Sequence, residues 1–208
     1  VVSLIVKSLS PLVRFLAVFT PLYLDSKKDN LPVDGLILNS PFLDWNFGWF
    51  MEKVAIPAVA FIGRFLPNLT VQGYGIASYA HSLLKQFKGE WEYDTNWKMI
   101  NGHPKKAGWI KAIQEGQRKV RKGLHLDCPV LVMSSDKSYP ETKEWHNEYL
   151  SSDIVLDVHD IQKYAPKLGE YVTRDTKPNG IHDLILSEKD SRDHTYRTVF
   201  DWMNRKGF

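Results

Sequence analysis

The sequence is poor in several things, and each shortage narrows what the chain can be. It has one cysteine, Cys128, which excludes an internal disulfide framework and fits a reducing cytoplasm. It has no long apolar run. The stretch from Val1 to Phe19 is broken by Lys7, Pro11 and Arg14, and a membrane span wants about 20 apolar residues. Neither leading cations nor a small-residue cleavage site marks a signal peptide there. Charge of one sign is also scarce. The net charge is +3, and the cations are dispersed apart from Lys105-Lys106 and Arg118 to Lys122, so no nucleic-acid partner is expected. No His/Cys/Asp spacing makes a zinc site, and neither a metal nor a cofactor is expected. Internal repeats and low-complexity tracts are lacking as well.

What is present is ordinary for a folded domain. Hydrophobic residues make 43% and charged residues 25%, and 208 residues suffice for one sizeable core, with or without a small inserted cap. The seven tryptophans and other aromatics suit a filled core or an apolar-substrate pocket. A strand or short helix is expected at Val1 to Val6, and a helix from Pro11, a good first helical position, to about Leu24. Asp25 to Pro32 reads as a polar loop. Gly35-Leu-Ile-Leu-Asn39 is a short apolar run between turn residues, the pattern of a buried parallel strand. Helical spacing runs from Phe47 to Leu66, with Pro57 set to kink or divide it. Asn68 to Gly75 reads as a loop, Ser78 to Phe87 as a helix and Glu90 to Pro104 as irregular chain. Lys105 to Lys122 reads as a basic amphipathic helix.

The stretch Cys128-Pro-Val-Leu-Val-Met-Ser-Ser-Asp136 organises the rest. It reads as a buried strand with a carboxylate just past its carboxyl end, where sites gather in open α/β sheets. A helix from about Pro140 to Leu150 and a strand or turn at Ile154 to Val158 follow. The last strand is expected at Tyr171 to Thr176. A Pro-Asn-Gly turn then leads to Gly180-Ile-His-Asp183, and a helix closes the chain at Arg192 to Arg205. Acid after one strand and histidine after the next is the tail of the order Ser…Asp…His. The segment between the Gly35 and Cys128 strands far exceeds the dozen or more residues that a parallel crossover needs. It is therefore expected to fold as a helical cap over residues 45–123, with residues 1–44 and 124–208 forming the core. Within the cap, Trp49, Phe50, Trp91 and Trp109 are expected to shape a pocket that excludes water.

From about Pro21 to Phe208 the chain resembles the carboxyl-terminal two-thirds of α/β-hydrolases of the serine aminopeptidase S33 type, the group of monoacylglycerol lipases and lysophospholipases. The resemblance rests on Gly35-Leu-Ile-Leu-Asn-Ser-Pro-Phe-Leu-Asp44, Pro129-Val-Leu-Val-Met-Ser-Ser-Asp136, Gly180-Ile-His-Asp183 and the closing helix with Phe200, Trp202 and Met203. It implies a mostly parallel α/β sheet with an inserted helical cap. It further implies a small-molecule or lipid ester substrate, with His182 as the base and Asp136 as the acid that orients it. Contact of the cap with a membrane surface is a further expectation. A serine hydroxyl needs such a base to take its proton, and the base needs a carboxylate to hold its tautomer.

The departure from the family lies at the nucleophile. No Gly-x-Ser-x-Gly occurs in the chain, and no glycine precedes Gly35. Ser3, Ser8 and Ser10 stand near the expected place without the small neighbours that the strained elbow requires. The nucleophile is thus unassigned, residues 1–19 read as a rearranged, mis-framed or truncated start, and this chain is expected to be inactive. The alternative is a non-catalytic remnant of the fold with a binding role or none. A missing half-sheet would leave the Gly35 strand exposed and favour self-association. Asp157 and Asp160 are the second-choice acids, and Asp183 reads as a turn or cap residue. Ser40 and Asp44 read as rim or turn residues, and Cys128 as core. His146, His159 and His194 read as surface residues.

Overall fold

The structure is a computed structural model that describes residues 4–6, 11–27 and 33–208, with side chains from Val18 onward. Ser3, Ser8, Ser10 and most of the expected polar loop lie outside the described residues. The elements are β1 (Leu4–Val6), α1 (Pro11–Asp25), β2 (Leu36–Asn39), α2 (Ile56–Ile62), β3 (Thr70–Gln72), α3 (Ser78–Leu83), β4 (Lys105–Lys106), α4 (Ala107–Lys122), β5 (Val130–Ser135), α5 (Val158–Tyr164), β6 (Val172–Lys177) and α6 (Lys189–Lys206). The main sheet has the order β1-β2-β5-β6, and every pairing in it is parallel.

Side-chain alternation makes this sheet a central layer. Leu36, Leu38, Val130 and Val132 pack on one face with Val18 of α1, Ile113 of α4 and Ile161 of α5. Ile37, Leu131 and Met133 point to the other face, against Leu184 and Trp202. Successive strand residues face opposite sides, so continuous apolar runs are buried twice over, as parallel sheets require. Each such Leu, Ile or Val contributes about 1.5–3 kcal/mol relative to exposure. β2 is flanked on both sides and all four of its residues are buried, so the expected exposed edge is not seen there. On the outer strand β6, Lys177 is fully buried. Its ammonium pairs with Asp175 Oδ1 at 2.6 Å and donates to Thr198 Oγ1, tying the strand to α6.

The long segment between β2 and β5 carries α2, α3, α4 and the small antiparallel pair β3-β4. Ahead of α2 the backbone takes a wide π-helical turn at Met51–Ala55, in which the Ile56 N–H reaches Met51 O. The turn falls just before Pro57, which has no N–H to continue the four-residue ladder. The expected kink is thus a widened turn. The expected loop at Asn68 to Gly75 contains β3, whose pairing with Lys105 and Lys106 delays the start of α4 to Ala107. Along α4 the buried residues Ala107, Ile110, Ile113, Gly116, Gln117 and Val120 recur at helical spacing.

One further expectation fails and one open choice is decided, each for an identifiable reason. The helix expected at Pro140 to Leu150 is irregular chain with a single 3-10 turn, Asn147–Leu150. The buried Tyr149 hydroxyl accepts from the Thr142 N–H at 2.8 Å and donates to Glu144 O at 3.3 Å, wrapping the chain around its ring. Of the strand or turn expected at Ile154 to Val158, the turn forms, because the N–H groups of Val155 and Leu156 bond to the Asp153 carboxylate, at 2.8 and 2.9 Å. The helix α5 was not anticipated. Asp157 caps its start, with Oδ1 accepting from His159 N at 2.9 Å.

The two-faced sheet gives a direct test. Leu131→Ala should lower unfolding free energy in urea by about 2–5 kcal/mol. Phe65→Ala, at a residue 71% exposed on the insertion, should change it by no more than about 0.5 kcal/mol.

Candidate active site

Three parallel strands deliver residues to one end of the sheet. β2 ends in Asn39 and Ser40. Ser40 has φ 45°, the left-handed region that few residues other than glycine adopt. Its N–H donates to Met133 O at 2.8 Å, which holds the bend against β5. The buried Asn39 amide spans to the far end of the chain, donating to Asp183 Oδ1 at 2.7 Å and accepting from Leu184 N at 3.3 Å. Asp183 stands, as expected, at the start of a turn, its carbonyl accepting from Leu186 N at 2.8 Å, and its side chain is in addition a buried partner of the sheet.

After β6 the chain turns tightly. Gly180 N donates to Lys177 O at 3.1 Å, and Asn179 takes φ 56°. A Cβ on Gly180 would come within 2.6 Å of Leu184 Cδ2, so glycine lets the next turn pack closely. This turn presents His182, which is 1% exposed.

The acid beside His182 is Asp153. Its Oδ2 lies 2.9 Å from His182 Nδ1, and both side chains are buried. Asp153 is held alongside the end of β5 by backbone bonds: its N–H donates to Lys137 O, and its carbonyl accepts from Tyr139 N–H, each at 3.0 Å. Asp153 Oδ1 takes the amides of Val155 and Leu156. The carboxylate orientation is thus fixed from three directions. A carboxylate only accepts, so Nδ1 carries a proton, and in the neutral imidazole Nε2 is then the lone-pair nitrogen. That is the tautomer a general base needs. From the insertion, the Tyr79 ring stands edge-on to the imidazole at 5.8 Å.

The expected pair of Asp136 and His182 does not form. Asp136 is exposed, and its Oδ1 accepts from Asn179 N at 3.1 Å. It secures the turn that leads to His182 instead of the ring itself. The second-choice acids lie elsewhere. Asp157 caps α5, while Asp160 sits 3.8 Å from Lys163, its carboxyl pushed up by burial and by neighbouring Asp44 and Asp157. Asp44 pairs with Arg121 and accepts from Trp45 N at 2.9 Å. Trp49 and Phe50 are 71% and 63% exposed, and Trp109 packs edge-on to Trp45 at 6.0 Å. His159 is exposed, His194 is half-buried, and His146 is half-buried against Tyr139 and Tyr149. Cys128 is buried, and burial pushes its thiol up, which suits a core residue. Sequence reasoning missed Asp153, Asn39 and Tyr79. The apolar run Ile154-Val155-Leu156 resembles a strand and so hid the carboxylate before it.

The fold has counterparts among solved structures. Over 91% of its length the chain superposes on a soluble variant of monoglyceride lipase from Saccharomyces cerevisiae in complex with a substrate analog, with TM-score 0.61 and 14% identity. Over 91% it also matches the monoacylglycerol lipase of Paleococcus ferrophilus, with TM-score 0.62 and 13% identity. The chain has the α/β-hydrolase fold, in partial form. It spans 62% of the first structure and 65% of the second. No protein-family model matches the sequence, and no curated protein matches it either.

Removing one member of a buried, hydrogen-bonded pair leaves the other uncompensated. Asp153→Ala should therefore cost about 3–5 kcal/mol in urea unfolding. Asp136→Ala should cost about 1 kcal/mol at most, since its side chain is exposed. Equal costs would show that the two carboxylates have been assigned the wrong way round.

Proposed function

We propose that this chain carries the acid and base of a serine hydrolase of the α/β-hydrolase superfamily that acts on carboxylic esters of lipids, of the monoacylglycerol or lysophospholipid kind. The observation that carries the reading is the buried Asp153–His182 pair at the carboxyl ends of the parallel strands. In it His182 Nε2 takes the proton of an attacking serine, and Asp153 stabilises the imidazolium that results. The likeness to two monoacylglycerol lipase structures supports the ester class.

The insertion at 45–123 serves in this reading as a cap that meets a lipid surface. Phe47, Trp49, Phe50, Phe61, Phe65 and Leu66 are each at least 50% exposed, a density of apolar side chains that marks an interaction face. Among the described residues no helix is long and apolar enough to cross a membrane. Replacing both Phe61 and Phe65 with Ser should cut co-sedimentation with phosphatidylcholine vesicles about tenfold or more. Unchanged co-sedimentation would remove the cap from the lipid contact.

The nucleophile carries a second reading. Because no Gly-x-Ser-x-Gly occurs in the chain, we propose that these 208 residues by themselves bind a lipid ester without cleaving it. A long-chain fluorophosphonate followed by mass spectrometry should therefore leave the folded chain unlabelled. Labelling that disappears in His182→Ala would overturn this second reading and name the serine. A non-hydrolysable alkylglycerol ether should still bind and shift the His182 ring-proton resonance. Failure of the ether to bind would overturn the lipid-ester reading itself.

A further inference from the structure

The His182 turn is held from two sides. On the sheet side, the Asn39 amide grips Asp183 and Leu184. On the other side the grip comes from the insertion, through a loop that doubles back on α3. Trp91 N donates to Leu83 O at 2.8 Å, Lys85 N to Trp91 O at 2.9 Å, and Gly89 N to Leu84 O at 3.1 Å. Gly89 lies so close to the Leu83 backbone that any Cβ there would overlap it, which makes the tight return specific to glycine. The loop delivers the Trp91 indole to the site. Its Nε1 donates to Leu186 O at 2.8 Å, capping the one-turn 3-10 segment Leu184–Leu186 that follows His182.

Arg192 of α6 completes the contact. Its guanidinium lies 4.9 Å from the centre of the Trp91 ring, and Nη1 donates to Glu90 Oε1 at 2.7 Å and to Ser187 O at 3.1 Å. Ser187 Oγ in turn accepts from the N–H of Ile181, the residue before His182, at 3.0 Å. The insertion, the closing helix and both flanks of His182 are therefore joined through one guanidinium and one indole. The Arg192–Glu90 ion pair is partly exposed, with side chains 20% and 54% accessible. Such a pair alone adds little to stability, because solvent screens it. Its use must lie in geometry: a planar fork that bonds in its plane while stacking on an aromatic face, which an ammonium cannot reproduce.

We propose that Arg192 and Trp91 are positioning residues that let the insertion set where the His182 imidazole stands. The catalytic meaning of this rests on His182 being the base, as proposed above. The contact network and its test do not.

The His182 Nδ1 proton, shared with Asp153, reports ring placement directly. Its downfield resonance is identified by its loss in His182→Ala. Trp91→Phe keeps the ring and deletes one N–H, while Arg192→Gln deletes the charge and the stack. In both, the resonance should move upfield or its exchange with water should speed up at least about tenfold as the turn opens locally. Arg192→Lys should restore only part of the signal. Lys85→Gln removes an exposed ion pair with Glu92 on the same loop without touching the turn, and should leave the resonance in place. An unchanged resonance in folded Trp91→Phe overturns the proposal, and that variant decides should Arg192→Gln fail to fold. An unmoved resonance alongside intact ether binding would sink the positioning role alone. Lost ether binding by the unaltered chain would sink the functional reading alone.

Discussion

A buried carboxylate tolerates few arrangements, and much of the site follows from satisfying the one on Asp153. Taken out of water, it needs donors on both oxygens. Two backbone amides serve Oδ1 and an imidazole serves Oδ2. The amides are free for this task because the segment after Asp153 does not join the sheet. The imidazole is available because the turn after β6 is tight enough to bring it in, and that turn is itself stapled by Asp136. The missing strand after Asp153 and the tight turn before His182 both serve this one buried carboxylate.

Two parts of the chain surround this pair. The parallel sheet, buried on both faces, fixes the points from which Asn39, Asp153 and His182 project. The insertion reaches the same centre through Tyr79 and Trp91 while turning an apolar outer surface to solvent. One segment of the chain therefore touches the imidazole and also carries much of the exposed apolar surface.

The strands were legible in the sequence because their signals are strong and local. Apolar runs bounded by turn residues place Leu36–Asn39 and Val130–Ser135, and a Pro-Asn-Gly turn places His182. The acid was harder to find for a physical reason. Asp136 occupies the obvious position past a strand, whereas Asp153 reaches the site only because an irregular excursion returns to the end of β5. No periodicity encodes that return; it depends on the Tyr149 hydroxyl and on paired backbone bonds to residues 137 and 139. Helix α5 was missed because Ile154-Val155-Leu156 reads as a strand until its amides are seen to be taken. Trp49 and Phe50 were expected to shape a pocket but are exposed, because composition alone cannot say whether a ring faces in or out.

The Asn39 amide carries a consequence for how the molecule assembles. It joins residues 144 positions apart in the chain. Closing so long a loop costs entropy before any contact repays it, and distant pairings of this sort form late and slowly. The helix α4 likewise rests on distant partners, since Ile113 shares a core with Val18 and the strands. Both the site and the core beneath it therefore belong to the long-range, topology-limited part of assembly, and neither can be completed from local contacts alone.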